Sequence, residues 1–337
     1  MMRAAVQTSY DAKNPHLEIT RVRRPEIGPH QALIKVTAAG VNPLDIMIAR
    51  GEVRLITPYA LPLVAGNEVV GIVEQVGSTA RSLEPGQRVF SRLPLGSIGA
   101  FAEYVAVDAD ALAVVPEHLS DEEAAAVPLT ALTAVQALDL MGATSAGTIF
   151  ISGGTGSVGA MAIPIAKSRG LTVVTNGSAS NRERVLSLGA DRFLDYRAED
   201  YARVLSGIDY VLDTLGGEET LRQMGVMRRG GHIVSLRGLP NGAFASRMGM
   251  PAWKRALFTA AGWRLDRAAR GYGVRYDFIF VESDGARLQE VADLLSTRRI
   301  APSVDEVFPF EEVSAALDKV ANGHSRGKTV LRMTARR

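Results

Sequence analysis

Along the first 120 positions the apolar residues come in short runs bounded by Gly and Pro, a pattern that predicts strands joined by tight turns. Residues 32–36 form one such run. Residues 69–76 form a β-branched run broken by Gly71, the mark of a bulge or a close backbone approach. Glu84-Pro85-Gly86-Gln87 is a turn leading into a strand at 88–90, and 101–107 alternates as a half-buried strand should. Many short strands of this kind predict a partly open barrel. At Ser120 the pattern changes. Ser120-Asp121-Glu122-Glu123 is a capping box that opens a helix running through Ala126. Pro128 interrupts it, and 129–140 resumes helically with Gly142 as its C-cap.

From Thr148 the spacing alternates strand and helix. Strands are expected at 148–151, 172–175, 193–194, 210–212 and 232–236, with helices at 160–167, where Pro164 sits inside as a kink, and at 181–188. This cadence predicts an α/β unit with a doubly wound parallel sheet and right-handed crossovers. Residues 239–273 break it, with Trp253, Phe258 and Trp263 set among Arg247, Lys254, Arg255, Arg264, Arg267 and Arg270. A lid over a substrate, a face lying on a membrane surface, and a long helical excursion packed on its own domain or on a partner all fit that composition. A last strand at 276–281, helices at 287–295 and 313–320 and a strand at 329–333 then return the chain to the first domain.

The strand at 148–151 runs directly into Gly153-Gly154-Thr155-Gly156-Ser157-Val158-Gly159 and a helix, so a G-x-G-x-x-G stands where a strand meets a helix. Gly154 is expected to allow the tight turn, Gly156 to let the backbone approach a pyrophosphate, and Gly159 to let the helix pack on the strand. The free N–H groups at the helix start suit phosphate oxygens.

Composition narrows the chemistry. The 337 residues are enough for two domains with real cores, and the net charge of +2 gives no footprint for nucleic acid. The chain has no cysteine, which removes disulfides and thiolate metal sites and fits a reducing cytoplasm. The opening M-M-R-A-A-V-Q-T carries no apolar signal core, and the chain is expected to hold no stretch of ~18 apolar residues able to span a bilayer.

Four further stretches resemble one family. They are Gly40-Val41-Asn42-Pro43-Leu44-Asp45 with Arg50-Gly51, the segment from Pro62 to Gly71, Pro128-Leu129-Thr130-Ala131-Leu132-Thr133-Ala134, and Leu188-Gly189-Ala190-Asp191 with Asp195-Tyr196. With the glycine turn and Gly327-Lys328-Thr329-Val330-Leu331, they resemble the zinc-free quinone oxidoreductase, or zeta-crystallin-like, group of the medium-chain dehydrogenases/reductases. The resemblance implies a Rossmann domain, 124–283, inserted in a GroES-like catalytic domain, 1–123 and 284–337. It implies a cleft holding NADPH, a quinone or enone as small-molecule substrate, and a homodimer. In zinc-dependent relatives a cysteine stands where Asn42 stands and a histidine where Asn67 does, and asparagine is a poor zinc ligand. No metal is therefore expected. The chain departs from the group at Met47 and Val53, where tyrosines are usual, and at Asn181, where a lysine is usual.

An NAD site places an acid at the end of the second strand. That end here is Thr175-Asn176-Gly177-Ser178, so NADPH is expected, with Arg182 as a charge partner for the 2′-phosphate, Ser178 and Tyr196 adding hydrogen bonds, and Asn176 as a further cofactor contact. Arg182 taken alone also reads as a solvated helix arginine. Leu215 and Lys328 are also expected to contact the cofactor. Asn42 is the candidate beside the nicotinamide and for catalysis, against a turn residue serving its own backbone. Tyr59 is a candidate proton donor, against a packing tyrosine. Thr130 is a nicotinamide contact or a helix cap. Asp45 is expected to pair with an arginine, and Asp209 and Asp213 to be structural. The expected reaction is direct hydride transfer to a quinone or an α,β-unsaturated carbonyl. Zinc-free alcohol or aldehyde reduction and a non-catalytic NADPH-binding role are the alternatives.

Overall fold

In the computed structural model, which describes every residue except 14, 81, 324–326 and 334–337, the chain leaves its first unit after Leu132 and re-enters it at Glu282. The structural boundaries fall at 132/133 and 281/282, against the 123/124 and 283/284 that the resemblance implies. The helix Pro128–Met141 carries the first crossing.

The first unit is β-rich. Its larger sheet runs Val304–Pro309, Lys328–Arg332, Gln31–Val41, Glu68–Val76, Arg88–Arg92 and Ala113–Val114, with Tyr104–Asp108 also pairing Gln31–Val41. A smaller sheet runs Glu18–Val22, Met2–Gln7, Leu63–Val64, and it joins the larger one where Ala5 N donates to Phe101 O. Gly71 fulfils the expectation of a close approach. A Cβ there would lie 2.3 Å from Lys35 O, and the pairing slips between Val36 and Ala38. Ile34, Val36, Val69, Val89, Phe101, Val107, Phe310 and Leu331 fill the space within. The strand Met2–Gln7 and the short helix Pro43–Ala49 have no counterpart in the sequence expectations.

The second unit is a six-stranded sheet, all parallel, in the order Arg192–Asp195, Thr172–Gly177, Thr148–Ile151, Ile208–Asp213, Met227–Ser235, Arg275–Phe278. Numbered along the chain from Thr148, that order is 3-2-1-4-5-6, the doubly wound arrangement whose strand order reverses beside the first strand. The expected strands are present, most of them longer than the apolar run that signalled them.

Residues 239–273 form the helices Gly242–Arg247 and Ala252–Tyr272, so the helical excursion is what the sequence builds. Phe258 turns inward, its ring 5.9 Å from Phe244 in an edge-to-face pair, and Leu265 and Ala269 join the unit's core. Trp253 and Trp263 stay exposed, the first beside Lys254 at 5.6 Å and the second beside Arg267 at 5.3 Å. One expectation is corrected. Asp121–Met141 is long and apolar enough by composition to cross a bilayer. In the fold it is two helices, Asp121–Ala124 and Pro128–Met141, with Pro128 at a helix start and most of the segment buried in protein. Its apolarity is that of a core element.

Candidate active site

In the second unit the strand Thr148–Ile151 delivers the chain to a turn pinned from the neighbouring strand. Gly153 N donates to Asn176 Oδ1 at 2.8 Å and Gly154 N donates to Asn176 O at 3.1 Å. Asn176 is therefore spent on the turn itself. The glycine roles fall differently from the sequence reading. Gly153, at φ 67°, makes the left-handed turn, and Gly154 is required because a Cβ would lie 2.0 Å from Thr175 Oγ1. Gly159 packs as expected, with Gly153 O and Gly154 Cα at 2.5 and 2.6 Å from a Cβ. At Gly156 a Cβ meets nothing nearer than 3.4 Å, so the space in front of it is open.

The helix Ser157–Ser168 starts from Gly156 with no side-chain cap, leaving its first turn able to receive an anion. Arg184 Nη2 donates to Thr155 O at 2.7 Å and braces the turn, a contact absent from the sequence reading. Ser178 lies next along the chain and Tyr196 N donates to Gly177 O at 3.2 Å, which brings Tyr196 alongside. Arg182 is exposed, its guanidinium 5.8 Å from the Phe193 ring centre. Leu215, also exposed, sits on a turn held by Asp213. That buried carboxylate accepts from Leu215 N, Gly216 N, Thr220 Oγ1, Gln223 Nε2 and Ser235 Oγ at 2.6–3.0 Å. Thr214 in turn bonds Ser152, so this turn and the glycine turn are tied together.

Asn42, Tyr59, Thr130 and Lys328 belong to the first unit. Asn42 is buried at the start of the helix Pro43–Ala49. Its amide donates to Glu68 Oε2 (3.0 Å) and Gly40 O (3.2 Å) and accepts from Lys328 Nζ (2.6 Å). Lys328 also meets Glu68 Oε2 at 2.5 Å, and Glu68 Oε1 accepts from Leu129 N at 2.7 Å. Gly40 makes this possible: a Cβ there would lie 2.3 Å from Glu68 Oε2 and 2.7 Å from Lys328 Cε. Thr130 neither caps nor points away from its helix; its hydroxyl turns back to the carbonyls of Ala126 (2.7 Å) and Val127 (2.9 Å).

Asp45 has no arginine partner, contrary to expectation. It accepts from Asn42 N at 2.8 Å and from Asn67 Nδ2 at 2.7 Å. Burial pushes its carboxyl up to about 6, against the pull of those two bonds. Tyr59 is half-buried, its backbone carbonyl held by Tyr10 Oη at 2.7 Å, while its own hydroxyl is buried without a partner. Burial pushes that phenol up to about 12. Arg92, in the strand opposite Glu68, is fully buried, and burial lowers its guanidinium to about 10. Its signal in the sequence is a lone arginine in the apolar run Val89-Phe90-Ser91-Arg92-Leu93.

Residues 28–117 match the family model described as the alcohol dehydrogenase GroES-like domain, and 188–331 match one described as zinc-binding dehydrogenase. Over 326 residues the chain is 31% identical to a Danio rerio protein named NAD(P)H oxidoreductase RTN4IP1, mitochondrial, with 90% of this chain and 84% of that protein aligned. It is 30% identical to the 2-methylene-furan-3-one reductase of Solanum lycopersicum, over 98% of this chain and 79% of that one. The quinone oxidoreductase of Coxiella burnetii superposes with a TM-score of 0.80 at 26% identity, over 99% of this chain and 100% of its own.

Proposed function

Because the chain belongs to the quinone oxidoreductase family of the medium-chain dehydrogenases/reductases, we propose that it reduces a quinone or an α,β-unsaturated carbonyl with NADPH and without a metal. The observation that carries this reading is the uncapped helix start at Gly156, beside the point where the parallel sheet reverses its order, with open space before the glycine. Bound NADPH supplies a hydride from C4 of its nicotinamide.

The chain's own residues divide the remaining work. The turn from Gly153 to Val158 receives the diphosphate. No acid stands at the end of the strand Thr172–Gly177, so Ser178, Arg182 and Tyr196 are free to take a 2′-phosphate. Leu215 supplies an apolar contact from its pinned turn. In the first unit Tyr59, protonated through the whole physiological range, gives the proton that completes reduction. For an enone the hydride adds to the β-carbon, the π electrons move to give an enolate, and a proton taken up at the α-carbon restores the ketone. Asn42 and Lys328 hold Glu68 in place, and Thr130 fixes the local helix.

The donor set supports metal-free chemistry. Asn42 and Asn67 present amides, the Asn42 amide is bonded on both sides, and the chain has no thiolate to offer. The proposal includes a homodimer acting in the cytoplasm, to be checked by light scattering and cell fractionation. NADPH oxidation followed at 340 nm with quinones, enones and aldehydes tests the whole reading. Turnover with quinones or enones is expected, and oxidation with none of them overturns it.

A further inference from the structure

Arg92 is one of the largest fully buried side chains in the described residues, and it is a cation. Nη1 donates to Leu93 O, while Nε and Nη2 are buried with no hydrogen-bond partner. Those two nitrogens form one edge of the guanidinium, and their N–H bonds point the same way. That edge is the fork that grips two coplanar oxygens at once. A buried donor edge with no protein acceptor is costly, which favours an acceptor brought by a ligand.

Among the described residues nothing fills the fork. Asp45, Glu68 and Glu282 act on Arg92 through space, yet none accepts from Nε or Nη2. Asp45 is engaged by Asn42 N and Asn67 Nδ2, and Glu68 by Lys328, Leu129 N and Asn42. Two other buried polar atoms of the same neighbourhood are also without partners, Tyr59 Oη and Asn67 Oδ1. Tyr59 as a residue is only half-buried.

We propose that the Nε–Nη2 edge of Arg92 receives a planar two-oxygen group on the hydride acceptor, the shared chemistry of a carboxylate and of the vicinal carbonyls of an ortho-quinone. This rests on the reductase reading for the identity of the ligand, not for its binding. Arg92 thereby acts as the specificity residue, with Tyr59 on the same ligand as the proton donor.

Calorimetric titration of the whole protein with benzoate, against benzyl alcohol as the neutral control, tests the fork without turnover. Wild-type protein is expected to bind benzoate at least tenfold more tightly than benzyl alcohol, and Arg92→Lys to lose at least tenfold of that affinity while keeping its circular dichroism. Equal binding of the two by wild type, or an unchanged benzoate affinity in a folded Arg92→Lys, overturns the proposal; if the variant does not fold, the wild-type comparison alone decides. Kinetics separates the two sources. A KM-based preference for 3-benzoylacrylate over its methyl ester assigns a carboxylate, and one for 9,10-phenanthrenequinone over 1,4-naphthoquinone assigns an ortho-quinone. Discrimination in neither pair overturns the role in specificity. Tight benzoate binding with no turnover of any acceptor leaves the fork standing and sinks the reductase reading alone.

Discussion

Lys328 Nζ lies 2.5 Å from Glu68 Oε2, with the two side chains 4% and 0% exposed. The pair joins the last strand of the first unit to its central one, and Asn42 sits across it as donor to the acid and acceptor from the base. Removing one member of a buried pair strands the other, which costs about 3–5 kcal/mol. Lys328→Met is therefore expected to destabilise by about that amount in urea unfolding. The double variant Glu68→Gln/Lys328→Met should recover a large part of it, since the buried charge is then gone. A double variant no more stable than Lys328→Met would show that the pair's charges are not what holds this region.

Asp45 gives the fold a pH dependence of its own. Its carboxyl sits at about 6 when folded, against an ordinary value of 3.8. Below pH ~4 it is protonated in both folded and unfolded chains and contributes nothing. As pH rises from ~4 to ~6 the unfolded chain releases its proton first, the folded chain binds more protons, and stability falls by about 3 kcal/mol before levelling off. Asp45→Asn should abolish that loss. Unfolding free energies at pH 4, 5, 6 and 8 should show the variant gaining on wild type as pH rises, and parallel curves would refute the assignment. The Asn67 amide can rotate to present its unpartnered Oδ1 to the new side-chain N–H.

Tyr59→Phe removes a buried hydroxyl that bonds nothing, so stability should hold or rise slightly. If that hydroxyl delivers the proton, kcat with an enone should fall by roughly 10²-fold or more, with NADPH affinity unchanged. Because the phenol sits at about 12, the wild-type rate should show no basic limb from this group below pH ~11. An unaltered kcat in the variant would move the donor elsewhere.

The glycine turn allows binding to be separated from folding. Gly156→Ala places its methyl in open space and keeps an ordinary φ of −78°, so thermal stability should stay within about 1 kcal/mol of wild type while NADPH binding weakens at least tenfold. Gly159→Ala drives a Cβ onto the backbone of Gly153 and Gly154, so both properties should suffer. Fluorescence titration with NADPH and a melting curve on each variant decide the matter.

Cofactor choice offers a second pair of variants. Arg182→Ala should lower the preference for NADPH over NADH with the fold unaffected, as expected of an exposed side chain whose one ring contact is 5.8 Å away. Arg184→Ala, which frees Thr155 O, should weaken both cofactors alike. The ratio of kcat/KM for the two cofactors distinguishes these outcomes.

The second unit was legible because parallel strands buried on both faces leave continuous apolar runs, and because the strand–glycine–helix junction has its own spacing. The first unit was harder to read. Met2–Gln7 is a strand whose small residues Ala4 and Ala5 carry little β signal, and Pro43–Ala49 is one short helix begun by a proline that reads equally as a turn. The candidate site divides in the same way. Local geometry announced the turn, whereas the partners of Asp45, Arg92 and Glu68 arise from strands and helices brought together by the fold. An arginine within an apolar run looks like a strand's solvent face until its register places it inward, opposite Glu68.

The strand Lys328–Arg332 lies between Val304–Pro309 and Gln31–Val41, inside a sheet whose other members are mostly made long before it. During synthesis, the second unit is complete by Val281, while the first still lacks both this strand and the ammonium that balances Glu68. The nascent chain thus carries a finished nucleotide module while the sheet of the first unit still waits for an inner strand.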